Sequence, residues 1–476
     1  MVFNSVAFGC FLPVVLLGYW LLRARVPQNA WLLVASYVFY AAFDWRFLGL
    51  MVGTTLVDHA VGRRLAVLDQ DERRRKRLFA VSVASNLVVL ATFKYLDFFS
   101  SSAGQLLDRV GVQADLPTLH VLLPIGISFY TFHGISYTCD VYRRRIEPAS
   151  SLLTFACFVA YFPQLVAGPI GRAELQLPQF ERERVRPRAD QVWSAFVLVL
   201  VGFVKKVAIA DTLAPFVTTV FDHPHRQSAP TVLLALVAFS LQIYGDFSGY
   251  TDIARGVSRL FGIELPVNFA QPYGSRSITE HWRRWHISLS SWLRDYLYVP
   301  LGGSRRGPRR TYANLLLTMV LGGLWHGAAW TFVLWGALHG VALAAHRWWT
   351  GRRPGVDVDA PFVLGRDWWR VGLTLSVVMA GWVLFRARSL SDSGELLRDL
   401  ARPGAVDGAA VVLVLVALVA VVLLDVIQRV GIALPLSRVR LPALVPVVRG
   451  VGIGAAACAL LVTVGGPPVQ FIYFQF

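Results

Sequence analysis

Two histidines stand where titratable side chains are rare. Residues 320–330 read VLGGLWHGAAW, so His326 lies between two tryptophans with glycine on both sides. The stretch from Tyr312 to Ala345 around it carries no Asp, Glu, Lys or Arg. A polar ring in such a segment is costly and is read first as functional. Imidazole is also the side chain whose unperturbed pKa, ~6.5, suits proton transfer near neutral pH. The alternative is a structural histidine that donates to a carbonyl of a neighbouring helix. The second ring is His286, within SRSITEHWRRWHISLSSWLRDYLYVP at 275–300. For it the alternative is a histidine packed among interfacial tryptophans.

Other polar residues in apolar surroundings read as structural. Asp246 and Asp252 in YGDFSGYTD suggest a kinked, hydrogen-bonded segment. Lys205 and Lys206, inside the apolar run 192–221, are expected to snorkel to the cytoplasmic interface. His339 lies 13 residues after His326, about 220° around an ideal helix, and is expected to be a packed core residue. There is no nucleophile elbow, HExxH or P-loop, which argues against an ATP-driven pump. Nothing in the spacing of His, Cys, Asp and Glu favours a metal site. Cys10, Cys139, Cys157 and Cys458 have neither metal nor redox spacing and read as small packing residues.

The elements that must hold these rings are membrane elements. The chain has 476 residues, 55% hydrophobic and only 16% charged, against ~25% charged in a soluble domain. Apolar runs occur at 6–22, 29–44, 47–61, 78–99, 117–139, 152–170, 192–221, 229–247, 312–345, 368–386, 410–427 and 449–465. Many are long enough to cross a hydrocarbon core about 30 Å thick, and each must be helical where it meets lipid. The fold class is therefore an all-α polytopic membrane protein with about ten to twelve membrane-embedded helices. Re-entrant and interfacial helices are expected among them. The short run 47–61 is a candidate for re-entry near Asp58-His59. The run 312–345 would be roughly 51 Å as one helix at about 1.5 Å per residue, so a break is expected at Gly322-Gly323 with His326 just beyond it. The tryptophans of 275–300 recur mostly at intervals of three and four. They predict one amphipathic helix, lying along the interface or tucked sideways into the protein.

Net charge is +17. The basic residues cluster in short loops, at 72–77, 143–145, 304–310 and 346–353. That pattern is the positive-inside bias, with attraction to anionic membrane lipids, and carries no sign of nucleic-acid binding. Arg23 and Arg25 follow the first run directly, so that run should remain as a span with the N-terminus outside. No internal repeat is detectable.

The long motifs PYGSRSITEHWRRWHISLSSWLRDYLYVPLGG at 272–303 and GGLWHGAAWTFVLWGALHG at 322–340 closely resemble the membrane-bound O-acyltransferase family. The branch is the bacterial one, with the alginate O-acetylation protein and the D-alanyl transferase of teichoic acids. LPIGISFYTFHGISYTCDVYR at 123–143, YFPQLVAGPI at 161–170, GFVKKVAIAD at 202–211 and YGDFSGYTDIARG at 244–256 extend the likeness over essentially the whole chain. The stretch NFAQPYG at 268–274 departs slightly and is taken to touch no site.

The resemblance implies one membrane domain of helices around a central funnel, with N-terminal helices in 1–115, a motif-bearing core in 116–348 and C-terminal helices in 367–476. It implies His326 and His286 as the catalytic residues. Trp285, Trp325, Arg283 and Arg284 beside them are the candidate substrate-binding residues. It further implies transfer of an acyl group, most readily acetyl, from a cytoplasmic thioester donor towards hydroxyls of an exported polysaccharide such as alginate. The donor would be acetyl-CoA or a carrier-bound acyl group, with no cofactor held. D-alanyl or peptidoglycan O-acyl transfer would use the same chemistry. Expected partners are the donor or its carrier protein, an exported acyltransferase or the polysaccharide, and lipids of a bacterial inner membrane. A flippase would want charged pathways and repeated halves, and a scaffold would not need the intramembrane histidine.

Overall fold

A computed structural model of the chain describes residues 1–68, 70–113, 116–119, 123–352, 364–433 and 471–472. Among the described residues the fold is all-helical, with no strand. Five helical stretches are long and apolar enough to cross a membrane: Glu72–Arg109, Ala189–Asp222, Ala229–Leu260, Asp367–Arg386 and Gly408–Gln428. The run at 449–465 lies outside the described residues.

The chain forms two compact units. The first comprises Met1–Ala195 with Ala254–Pro266, the second Phe196–Ile253 with Val267–Phe476. In the first, the helix Leu48–Val67 runs on through Asp58 and His59 instead of ending there. Asp58 is buried, which a helix can tolerate because the carboxylate is fully engaged. Ser82 Oγ donates to it at 2.6 Å and Asn86 Nδ2 at 2.9 and 3.0 Å. Gly134 makes room, since a Cβ there would lie 2.0 Å from Asp58 Oδ2. The run 152–170 is not one span. It folds as Leu152–Ala160 and Phe162–Leu165 followed by buried irregular chain, with the amide groups anchored by polar side chains such as Gln164, whose Nε2 donates to the Phe158 carbonyl at 2.8 Å.

In the second unit, Lys205 and Lys206 do not snorkel. They sit in a π-helical stretch, Val204–Asp211, and are buried. Lys205 Nζ lies 2.8 Å from Asp252 Oδ2. Lys206 Nζ lies 2.8 Å from both Asp211 Oδ1 and Asp246 Oδ1. The cause is a glycine crossing: a Cβ on Gly249 would come 2.7 Å from the Gly202 carbonyl, so the two backbones touch and both ammonium groups meet carboxylates before they can reach an interface. The helix Ala229–Leu260 carrying Asp246 and Asp252 is continuous. The network reading of these aspartates agrees with the geometry. Asp246 Oδ2 also accepts the Ile472 N–H at 2.7 Å, which ties the described C-terminal residues to the helix.

The run 312–345 forms two helices, Gly307–His326 and Trp330–Gly351. The break falls later than the glycine pair. Gly322 and Gly323 are helical, and the chain turns at Gly327, where φ is −154° and ψ 147°. His326 is thus the last residue of the first helix, not a residue beyond the joint. The glycines serve close packing instead: a Cβ on Gly323 would stand 2.1 Å from the Phe332 carbonyl oxygen, and one on Gly336 2.3 Å from that of Met319.

Candidate active site

The segment 275–300 is two short helices, Ile278–Arg284 and Ile287–Leu293, followed by a π-helical stretch, Arg294–Tyr298. A single amphipathic helix does not form. Ser277 caps the first, accepting from the Glu280 N–H at 3.2 Å, while Glu280 Oε2 accepts from Arg276 N–H at 2.8 Å, a variant of the capping box. The helix ends at Trp285, which is extended, and His286 takes a left-handed conformation with φ 43° and ψ 54°. Such a φ is uncommon outside glycine. The break lets the tryptophans enter separate pockets. Trp282 packs on Trp335 and His339, with centroids at 5.7 and 5.2 Å. Trp285 packs on Trp382 and Phe269, at 5.3 and 5.0 Å. The tryptophans and His339 are buried within the protein and Phe269 is half-buried.

The break also turns the His286 ring towards His326. Their centroids are 6.3 Å apart, and only 0% and 6% of the two residues is exposed. Aromatic rings enclose the pair. Phe247 meets His286 edge-on at 4.7 Å. Trp325 lies 6.0 Å from His286 and 5.1 Å from His326. Trp335 and Phe385 flank His326 at 5.2 and 5.3 Å. All these residues belong to the second unit. His286 is fixed by Asn268: its Nδ1 is 3.1 Å from Asn268 Oδ1. Burial lowers the basicity of the His286 ring, so the neutral imidazole is favoured.

Of the six expected site residues, the geometry gathers His286, His326 and Trp325, with Trp285 in the wall behind Phe269. Arg283 is exposed, and Arg284 Nη2 pairs with Glu280 Oε1 at 2.7 Å. His339 is buried against Trp335, 4.8 Å away, in keeping with a packed core residue. Sequence reasoning missed Asn268, Phe247, Trp335 and Phe385. Phe247, Trp335 and Phe385 are single rings in apolar helices and carry no signal of their own. Asn268 left no signal either, because the helix start at Ile287 that it serves lies far along the chain and was not itself expected. Among the described residues no three His, Cys, Asp or Glu side chains come together as metal ligands.

The family model of membrane-bound O-acyltransferases matches residues 32–358. The chain belongs to that family. It is a membrane acyltransferase, and its relatives place it with the O-acetyltransferases. It is similar to the probable alginate O-acetylase AlgI of Azotobacter vinelandii, 45% identical over 82% of this chain and 76% of that protein. The namesake from Pseudomonas aeruginosa is also 45% identical, over 82% of this chain and 73% of its own. A peptidoglycan O-acetyltransferase of Helicobacter pylori is 34% identical over 84% and 80%.

Proposed function

We propose that this O-acyltransferase moves an acetyl group from a cytoplasmic thioester, acetyl-CoA or a carrier-bound acyl group, towards hydroxyls of an exported polysaccharide, with alginate as the leading acceptor. The observation that carries the reading is the close pair of buried histidines, His286 and His326, in a wall of aromatic side chains. A hydroxyl is a weak nucleophile at neutral pH. An imidazole in contact with it accepts its proton as the oxygen attacks the thioester carbonyl, an effect worth roughly 10²–10⁴-fold. The tetrahedral intermediate then collapses, the carbon–sulfur bond breaks, and the proton passes to the departing thiolate. The aromatic enclosure keeps water from competing for the acyl group, and it strengthens each hydrogen bond inside. Trp325 and Trp285 shape the acyl pocket in this reading, while Arg283 attracts the charged end of the donor and Arg284, paired with Glu280, steadies the helix beside it.

The chain would sit in a bacterial inner membrane with its N-terminus outside, following the positive-inside bias. Transfer from a cytoplasmic donor to an exported polymer calls for an exported acyltransferase that finishes the reaction. The alginate assignment follows the names of the 45% identical relatives, and peptidoglycan is the second acceptor, following the 34% identical one. The test is His326→Ala in cells that make the polymer. The variant should insert and purify as wild type while polymer acetyl content falls to background. Near-normal acetylation would remove His326 from the mechanism. Acetyl counted on purified alginate and on peptidoglycan from the same cells decides between the two acceptors.

A further inference from the structure

The helix Ile287–Leu293 begins without a capping residue of its own. His286 occupies the cap position but makes no side-chain cap bond. The first N–H groups of any helix lack intrahelical acceptors, and here Asn268, 18 residues upstream, supplies them. Its backbone carbonyl accepts the Ile287 N–H at 2.9 Å. Its side-chain Oδ1 accepts the Ser288 N–H at 3.2 Å and the Ser288 hydroxyl at 2.9 Å. Asn268 is 1% exposed, so these bonds do not compete with water.

This cap orients the amide, and the amide then orients the histidine. A backbone N–H can only donate, so the Asn268 atom facing Ser288 must be the oxygen. The opposite flip would set the amide N–H₂ against the Ser288 N–H, donor against donor. The same oxygen lies 3.1 Å from His286 Nδ1. A carbonyl oxygen cannot donate, so Nδ1 must carry the hydrogen. In a neutral imidazole with hydrogen on Nδ1, Nε2 holds the lone pair.

We infer that Asn268 is a positioning residue that locks His286 as its Nδ1–H tautomer, so that Nε2 accepts a proton or hydrogen bond during acyl transfer and does not donate one to the thioester carbonyl. This rests on the proposed reaction for its meaning, and it divides the labour between the rings. His286 stands on the side of the attacking hydroxyl, receiving its proton directly or through the neighbouring imidazole. Stabilisation of the negative oxygen that develops on the thioester carbonyl must come from another donor. A protein that used neutral His286 to polarise the carbonyl would need hydrogen on Nε2, which the Asn268 oxygen opposes.

Two measurements test this, and only the second depends on catalysis. The first is ring ¹⁵N NMR of histidine-labelled wild-type protein, with the His286 signals assigned by difference against His286→Gln. An imine-type Nε2 and a protonated Nδ1 are expected. A protonated Nε2 in the neutral ring overturns the inference even if His286 proves essential for turnover. The second is the pH profile of Asn268→Asp. Aspartate keeps a capping oxygen at the same place, so the helix start is retained, but its charge favours imidazolium and raises the pKa of His286. The acidic limb of kcat/KM should move upward by about one unit or more, roughly a tenfold loss per unit on that limb, with activity recovered at alkaline pH. A profile superimposable on wild type overturns the assignment, because a purely structural cap would leave the limb where it was. An imine-type Nε2 together with wild-type turnover in His286→Gln leaves the tautomer standing and overturns the accepting role at Nε2.

Discussion

His133 and His286 are each completely buried, one in each compact unit, and the scaffold bonds Nε2 of one and Nδ1 of the other. His133 sits in the helix Ile127–Tyr142 and accepts the backbone N–H of Gly171 at Nε2, 3.1 Å away. Its lone pair is spent on holding irregular chain, and its ring neighbour is Phe158 at 5.3 Å. His286 spends Nδ1 on Asn268 and has a second imidazole beside it. It also departs from helical geometry to get there, with a positive φ. Burial of a histidine is therefore not the mark of the site. In the proposed reading the mark is which nitrogen the scaffold consumes, and whether the backbone accepts an unfavourable conformation to aim the ring.

Paired substitutions break this comparison most directly. His286→Ala should lower turnover by about 10²-fold or more, because its ring stands beside the second imidazole. His133→Ala should act on stability instead. It leaves the buried Gly171 N–H without an acceptor, at about 1–3 kcal/mol, so the thermal midpoint falls while kcat per folded molecule is kept. Thermal scans in detergent beside acetyl-transfer rates check both. Equal loss of turnover in the two variants would mean that the units do not divide labour in this way.

The second unit also contains the larger structural liability. Lys206 stands between Asp211 and Asp246, and removing it abandons one buried carboxylate, Asp246, and one half-buried, Asp211. Breaking such a pair costs about 3–5 kcal/mol. Lys206→Met should therefore lower the yield of folded protein sharply, and Lys206→Met with Asp246→Asn should recover part of it. A Lys206→Met variant as stable as wild type would show that these charges are not held as a buried set.

How much of this was legible in the sequence differs by kind of signal. Composition and run length point to an all-helical membrane protein, since lipid admits only helices and closed barrels and continuous apolar runs of about 18 residues or more suit a helix. The uncharged run marks His326, and the tryptophan-rich motif marks His286. What could not be read were the contacts made at a distance. The break at His286 depends on Trp282 and Trp285 finding separate pockets on residues 50 to 100 positions later, Trp335 and Trp382. Lys205 and Lys206 look like snorkelling residues until the crossing of Gly202 with Gly249 is known. The glycine pair at 322–323 reads as a hinge because glycine weakens a helix, yet in this hairpin the same property permits close approach. Asn268 was set aside as a departure of no consequence, because a cap supplied from 18 residues upstream leaves no local pattern.

The glycine pair offers a sharper comparison within one turn. A methyl group on Gly323 would meet the Phe332 carbonyl at 2.1 Å, backbone that cannot give way, whereas one on Gly322 would meet Leu293 Cδ1 at 3.0 Å, the end of a flexible side chain. Gly323→Ala should separate the helices Gly307–His326 and Trp330–Gly351 and cost about 1–3 kcal/mol, as overpacking does. Turnover should fall with it, because Trp335 on the second helix flanks His326. Gly322→Ala should be milder on both counts. If the two variants behave alike in thermal scans and turnover, the helix contact is looser than described.

The smallest expected effect concerns Arg283 and Arg284, adjacent in sequence and unlike in surroundings. Arg284 is half-buried and bound to Glu280, so its loss loosens the short helix that precedes His286. Arg283 is exposed, where solvent and ions screen its charge. If it draws in the charged end of a thioester donor, Arg283→Ala should raise KM a few-fold with kcat unchanged, the pattern of an interaction made equally in ground and transition states. The effect should shrink as salt is raised, because added ions screen an exposed charge. Arg284→Ala should instead lower kcat modestly and show little salt dependence. Initial rates at two ionic strengths separate the two patterns. An Arg283→Ala variant with an unchanged KM at low salt would remove it from the donor's path and leave the positive-inside bias as the whole explanation of that charge.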